Sequence, residues 1–153
     1  MSQWTHVLGV IRYDYMAQNM WCSDTGGKPH CYNIKEKIKF LKKIYKKDIP
    51  EGSEGPIEIS VTNSNRGPVV RLTGDLRDFG LSEVEGIISW LNNVQTNLTK
   101  INRKTDFYDT LSIRDSIVCV DVEYYKNYKF LMFSENKKSW FNMEVKKEKS
   151  KYL

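Results

Sequence analysis

Two carboxylates flank an arginine in the segment 74–78, which reads Gly-Asp-Leu-Arg-Asp. Asp75 and Asp78 can serve as a general acid and base beside the Arg77 guanidinium, or hold a metal in a phosphodiesterase or nuclease. The same residues can instead form loop or interface contacts at a strand-to-helix turn. Both interpretations stay open at this point. We favour loop or interface contacts and predict no catalytic residues.

Basic side chains provide a second set of candidates. Successive amides in the turn Gly26-Gly27-Lys28 can form an anion-binding nest. Arginines from the first and third predicted strands are expected to be neighbours, which makes a phosphate-receiving patch. The predicted phosphate-binding residues are Arg12, Lys28, Arg71 and Arg77.

Cys22, His30 and Cys31, with His6, are the residues that could ligate a metal. Their spacing does not contain the short Cys-x2-4-Cys knuckle of zinc sites. Two-histidine phosphoesterases require a serine or threonine two positions after each histidine, whereas Leu8 follows His6 and Tyr32 follows His30. Neither a G-x-S-x-G nor a Walker-type sequence occurs. We therefore predict no metal and no cofactor.

The composition predicts a soluble, intracellular chain. Of its 153 residues, 40% are hydrophobic and 28% charged, with a net charge of +5. No apolar run approaches the roughly 18 residues that a membrane span needs, and no signal peptide is recognisable. Three cysteines at unrelated spacings predict no disulfide framework.

A nucleic-acid-binding module stays an alternative that the sequence does not favour. Seven lysines lie between Lys35 and Lys47, a pattern typical of a solvated helix face. The RNA-recognition signature is missing, and Asp121 and Glu123 would repel a phosphate backbone on the strand where it should occur.

Apolar periodicity predicts the elements. The second helix begins with a capping box, in which Ser82 is the N-cap and Glu85 the third helical residue. Residues 99–115 are predicted to be a long connection. The predicted strands are 4–15, 56–62, 69–73, 117–125, 128–133 and 140–145; the predicted helices begin at 34 and 82 and end near 46 and 98.

The resulting β-α-β-β-α-β order predicts an α+β fold of ferredoxin-like topology with an appended C-terminal β-hairpin. Both faces of the first strand carry apolar residues, which is typical of a central strand. No linker divides the chain. We predict one domain over residues 1–145, followed by a basic, frayed tail at 146–153.

Three motifs resemble a family of small, biochemically uncharacterised proteins of tailed bacteriophages. They are W-T-H-V-x-G-x-I-R at 4–12, G-S-E-G-x-I-x-I-S-V at 52–61 and G-D-L-R-D at 74–78. The resemblance covers about the first two-thirds of the chain. It implies a phage accessory protein made in the host cytoplasm, and it brings no activity or catalytic residues with it.

By analogy with such proteins, we expect a non-enzymatic antagonist of host antiviral defence. It would act by binding a host defence protein or by sequestering a nucleotide second messenger, with a homo-oligomer as the expected form in the second case. The metal-dependent phosphodiesterase or nuclease that uses Asp75 and Asp78 is the alternative.

Overall fold

The structure, a computed structural model, describes residues 2–15, 34–64, 66–104 and 111–148. In this part of the chain, one helix follows the first strand, and a second helix lies between four successive strands and the last three. The helices are α1 (Ile34–Tyr45) and α2 (Val84–Lys104), with a 3-10 turn at Leu81–Glu83 before α2. The strands are β1 (Trp4–Tyr15), β2 (Glu51–Gly52), β3 (Gly55–Pro56), β4 (Glu58–Ser64), β5 (Gly67–Arg77), β6 (Leu111–Val122), β7 (Asn127–Ser134) and β8 (Ser139–Lys146).

Six strands form one sheet in the order β4-β5-β1-β6-β7-β8, with every neighbouring pair antiparallel. The short strands β2 and β3 form a separate ladder. The predicted α+β class is confirmed. The sheet has six strands where the ferredoxin-like pattern has four, so its order differs and that specific topology is not confirmed.

The core lies between one face of this sheet and the two helices. Alternation along β1 points Val7, Ile11 and Tyr13 towards the helices, where all three are buried. The helix α2 contributes a stripe at i, i+3 and i+4 spacing, as its apolar pattern predicts. The buried residues of this stripe are Val84, Ile87, Leu91, Val94 and Leu98. Neither helix is long and apolar enough to cross a membrane, among the residues described.

The predicted connection between the third strand and the second helix is too long. Gly74 to Arg77 continue β5, because each of them pairs with β1 as far as Trp4 opposite Arg77. The predicted capping box is also wrong. The Gly80 amide donates to the Glu83 carboxylate at 2.8 Å, because a 3-10 turn comes before the helix and moves the cap towards the N-terminus.

The prediction that residues 99–115 are a connection is wrong at both ends. The helix α2 continues to Lys104, and β6 begins at Leu111. The predicted apolar stripe ends at Leu98, whereas the sequence continues the i+3 spacing with Ile101 and the helix backbone continues to Lys104. Of the residues assigned to the tail, Lys146 is the last residue of β8, and the Lys147 amide donates to the Lys126 carbonyl at 3.0 Å.

Candidate functional site

The face of the sheet opposite the helices carries a row of apolar side chains. Leu8 on β1 lies opposite Cys119 on β6, which lies opposite Phe130 on β7, and Phe130 lies opposite Met143 on β8. Further apolar side chains on the same four strands lie next to this row. We call the combined surface the apolar face; its residues are Leu8, Val10, Ile117, Cys119, Phe130, Met132, Phe141, Met143 and Val145.

The apolar face is open to solvent. Leu8 is 65% exposed and Ile117 is 48% exposed. In the described part of the chain, seven large hydrophobic side chains are exposed, and five of them belong to the apolar face: Leu8, Ile117, Phe141, Met143 and Val145. Monomeric proteins rarely expose apolar side chains in a contiguous patch. This concentration therefore makes the apolar face the candidate interaction surface.

His6 lies one row away from Leu8, between Asp75 on β5 and Asp121 on β6. Its Nδ1 atom is 2.6 Å from Asp75 Oδ1, and its Nε2 atom is 3.6 Å from Glu123 Oε1. The hydrogen bond to Asp75 raises the pKa of His6 above its usual 6.5, although partial burial opposes the shift. The second imidazole nitrogen faces a carboxylate instead of a hydroxyl or thiol. The cluster is therefore a histidine held between two carboxylates, an ion pair when the imidazole is protonated, and not a nucleophile with its base.

Arg12 and Arg71 are brought together on the open side of the sheet. Val10 lies opposite Arg71 on the neighbouring strand, and Arg12 is the next residue along β1 on the same side. Both guanidinium groups already have partners. Arg12 Nε is 2.8 Å from Asp115, and Arg71 Nη1 donates to the Thr62 hydroxyl at 2.5 Å.

The other predicted phosphate ligands do not join this pair. Arg77 lies six residues farther along β5, about 20 Å from Arg71, and forms an ion pair with Glu54 at 2.7 Å. Lys28 falls outside the described residues, as do the neighbouring glycines and the predicted metal-ligand candidates at 22, 30 and 31.

Asp75 and Asp78 have different partners. The Asp75 carboxylate lies on the open side of the sheet against His6, whereas Asp78 accepts a hydrogen bond from the Ser53 hydroxyl at 2.8 Å. Asp78 adopts a left-handed conformation with φ of 57°, which aspartate tolerates in turns, and its amide donates to the Gln3 carbonyl at 2.7 Å. No group of three or more metal-ligating side chains occurs within the described ranges.

Sequence reasoning missed both the apolar face and the His6 cluster. A signal for the face existed, because β1 carries apolar residues on its two sides. That pattern predicts a strand covered on both faces, whereas the helices cover only one. The pairing of His6 with Asp75 and Glu123 had no local signal, because His6 lies in β1, Asp75 lies in β5 and Glu123 directly follows β6.

Comparison of the chain with protein-family models, with curated proteins and with solved structures finds no match. The geometry of the open sheet face is therefore the basis on which we argue a function.

Proposed function

We propose that this chain is a non-enzymatic phage protein that antagonises a host defence protein by covering an apolar surface of it with the apolar face. The observation that carries the proposal is the exposure of five large hydrophobic side chains on one side of the sheet. The assignment to a phage, and to the host cytoplasm, rests on the three sequence motifs alone.

The size of the open sheet face supports binding to a protein. Six strands about 4.8 Å apart, each about eight residues long, present an area of roughly 750 Å², of which the four strands of the apolar face provide about 500 Å² and the other two a polar border. A stable protein–protein interface buries about 800 Å² on each partner. A protein surface, rather than a small ligand, is the occupant of matching size.

The arrangement of charges supports the same partner class. Ion pairs border the apolar centre, with Arg12 bound to Asp115 on one side and His6 to Asp75 on the other. Protein interfaces have this anatomy, in which a polar rim encloses an apolar core. Asp121 lies opposite His6, where its carboxylate pairs with Lys147, and Glu123 faces the His6 imidazole, so the cations beside this end of the apolar face already have carboxylate partners and are not free to receive a phosphate backbone.

A matched pair of variants tests the proposal. Leu8→Glu places a charge at the β1 end of the apolar face, on a side chain that is 65% exposed, whereas Leu81→Glu places it at a side chain that is 40% exposed in the 3-10 turn. Each variant, immobilised, is incubated with host extract, and the captured protein is purified and its affinity for each variant measured. We expect one defined partner that Leu81→Glu retains and Leu8→Glu loses. Equal binding by both variants would contradict the proposal.

Cys119 offers a second measurement on the unsubstituted chain. Its thiol lies within the apolar face, and burial raises its pKa, with Asp121 adding to the shift. Modification of this cysteine by a thiol reagent, followed at the peptide level by mass spectrometry, should slow when the purified partner is added. An unchanged rate would place the partner elsewhere on the chain.

A nucleotide signal is the second candidate ligand, because Arg12 and Arg71 are close neighbours. Native mass spectrometry of the chain, mixed with nucleotide-rich extract of infected cells, tests it. If phosphates bind this pair, Arg71→Ala abolishes retention and Arg77→Ala, about 20 Å away, does not. If neither the unsubstituted chain nor the variants retain a nucleotide, the protein partner is the remaining candidate.

We also propose that the fold is a ferredoxin-like unit extended by the hairpin β7–β8. The support is that each helix connects two strands with one other strand between them. The helix α1 joins β1 to β4 with β5 between them, and α2 joins β5 to β6 with β1 between them. An experimental structure in which either intervening strand lay elsewhere would contradict this topology.

A further inference from the structure

The strand β8 is the outermost strand on its side of the sheet, and solvent surrounds most of it. Residues 141–146 are all exposed, on the helix side as well as on the open side. Edge strands present unpaired amide and carbonyl groups that can pair with another strand, and proteins usually protect them. The strand β8 is eight residues long and carries Phe141, Met143 and Val145 on one side.

The direction of the backbone groups in β8 follows from two hydrogen bonds. The Lys147 amide donates to the Lys126 carbonyl, so the odd-numbered residues direct their backbone groups towards β7. The even-numbered residues direct theirs outward. Asn92 of α2 accepts the outward amide of Trp140 at 2.8 Å. Among the described residues, no strand pairs with the outward groups of Asn142, Glu144 and Lys146.

We infer that β8 pairs antiparallel with β8 of a second copy of this chain, with Met143 opposite Met143 of the second copy. In this register Phe141 lies opposite Val145, Asn142 opposite Glu144, and Trp140 opposite Lys146. Apolar residues then meet on the open side. On the helix side no like charges meet, because Asn142 lies opposite Glu144, whose carboxylate is held by Lys129 and Asn127 of its own copy. Opposite residues of this kind are favourable cross-strand pairs.

Charge selects this register over its two neighbours. A two-fold axis perpendicular to the sheet keeps opposite side chains on the same side of the sheet, so it must pass between one residue and the same residue of the second copy. Neighbouring registers therefore differ by one residue in the position of the axis. Centring on Glu144 would place two carboxylates opposite each other. Centring on Asn142 would place Lys146 opposite Lys138. Like charges in directly opposite positions destabilise a strand pair, and the Met143-centred register has none along β8.

The opposite edge of the sheet lacks the features that make β8 self-complementary. The strand β4 presents Glu58, Ser60 and Thr62 on the open side, and no apolar row reaches it. Polar and charged side chains of this kind protect an edge strand from pairing. A second copy is therefore expected at β8 and not at β4.

The dimer is an inference beyond the proposed function. It enlarges the apolar face with which we propose that the chain binds its partner. A two-fold axis perpendicular to the sheet leaves both apolar faces on the same side. The row of Leu8, Cys119, Phe130 and Met143 then continues through Met143 of the second copy into the same row in reverse order. One partner could contact both copies.

Cross-linking tests the register. At a position opposite itself in a non-hydrogen-bonded pair, the two Cβ atoms lie about 4.5 Å apart, within the range of a disulfide. Under mild oxidation we expect Met143→Cys to form a covalent dimer faster than the unsubstituted chain. Ser60→Cys, on the open side of β4, is the matched control and should not exceed the unsubstituted chain. Equal rates for the two variants would overturn the inference.

Sedimentation analysis tests the pairing itself. Asn142→Pro removes one outward amide without touching the hydrogen bonds to β7, and Met143→Lys places two lysines opposite each other. We expect each to weaken the dimer by about tenfold or more, while Ser60→Lys and Leu8→Glu leave it intact. A monomeric unsubstituted chain, or a dimer that only Leu8→Glu dissociates, would refute strand pairing. Because Leu8→Glu is expected to lose the host partner and keep the dimer, failure of either proposal can be told from failure of the other.

Discussion

The imidazole of His6 and the carboxylate of Asp75 lie 2.6 Å apart across neighbouring strands, although 69 residues separate them in the chain. His6 is 44% exposed on the same side, so the pair is reached by solvent. Three carboxylates, those of Asp75, Asp121 and Glu123, favour the protonated imidazole. The pKa of His6 is therefore raised above its usual 6.5, and loss of the imidazole proton changes the charge of this edge of the apolar face.

The first prediction concerns the pKa of His6. NMR titration should give a pKa above 6.5 for His6, because the hydrogen bond to Asp75 favours the protonated ring. Asp75→Asn should return the pKa towards 6.5, and His30 serves as the second, independent histidine signal. A His6 pKa that Asp75→Asn leaves unchanged would show that the hydrogen bond does not form in solution.

The second prediction concerns stability as a function of pH. Because the pKa of His6 is higher in the folded chain than in the unfolded chain, the pair stabilises the fold fully below 6.5. That contribution is lost as the pH rises through the folded-state value. His6→Gln should therefore lower Tm at a pH of about 5.5 and change it little at a pH of about 8.5. An equal loss at both values would point to packing instead of charge.

The third prediction concerns close packing between β1 and β6. A Cβ atom added at Gly9 would lie 2.8 Å from Cγ2 of the buried Val118. Gly9→Ala should lower the free energy of unfolding by about 1–3 kcal/mol, because a crowded core position forces its neighbours to shift. Chemical denaturation measures the change.

Gly86 provides the matched control for that substitution. It lies in α2, and no atom lies within 4 Å of an added Cβ. Gly86→Ala should raise the free energy of unfolding by up to about 1 kcal/mol, because alanine has the higher helix propensity. Similar effects of the two substitutions would contradict the packing described for Gly9.

The fourth prediction concerns two hydroxyl groups inside the core. The Tyr13 and Tyr45 oxygens are 2.5 Å apart and buried, and burial raises the pKa of both hydroxyls. Either single change to phenylalanine leaves one buried hydroxyl without its partner and should cost about 1–3 kcal/mol.

The double variant distinguishes this interaction from simple loss of two polar atoms. With both hydroxyls removed, no unpaired group remains, so the cost should be smaller than the sum of the two single costs. Urea denaturation of the four chains gives the coupling energy. Additive effects would show that the two hydroxyls do not bond to each other. The Trp90 indole, which donates to the Tyr45 carbonyl at 3.1 Å, is unaffected by these changes.

The candidate site could be read from the sequence only in part. Arg12 and Arg71 were expected to lie close together, and they are neighbours, because this needs only that the first and third strands are adjacent. Arg77 was expected with them and lies at the far end of β5. The hydrophobic pattern predicted that the first and third strands pair. It predicted neither the length of β5 nor the register that places Arg77 about 20 Å from Arg71.

The sequence by itself determined the α+β class and most element positions, because strand alternation and helical stripes are local properties of the chain. It did not determine which side of β1 the helices cover. Apolar residues occupy both sides of that strand, and only the packing of α1 and α2 leaves Leu8 exposed and Ile11 buried. The tertiary structure also decided the partner of His6, because register between distant strands depends on pairing along their whole length and not on any residue near His6.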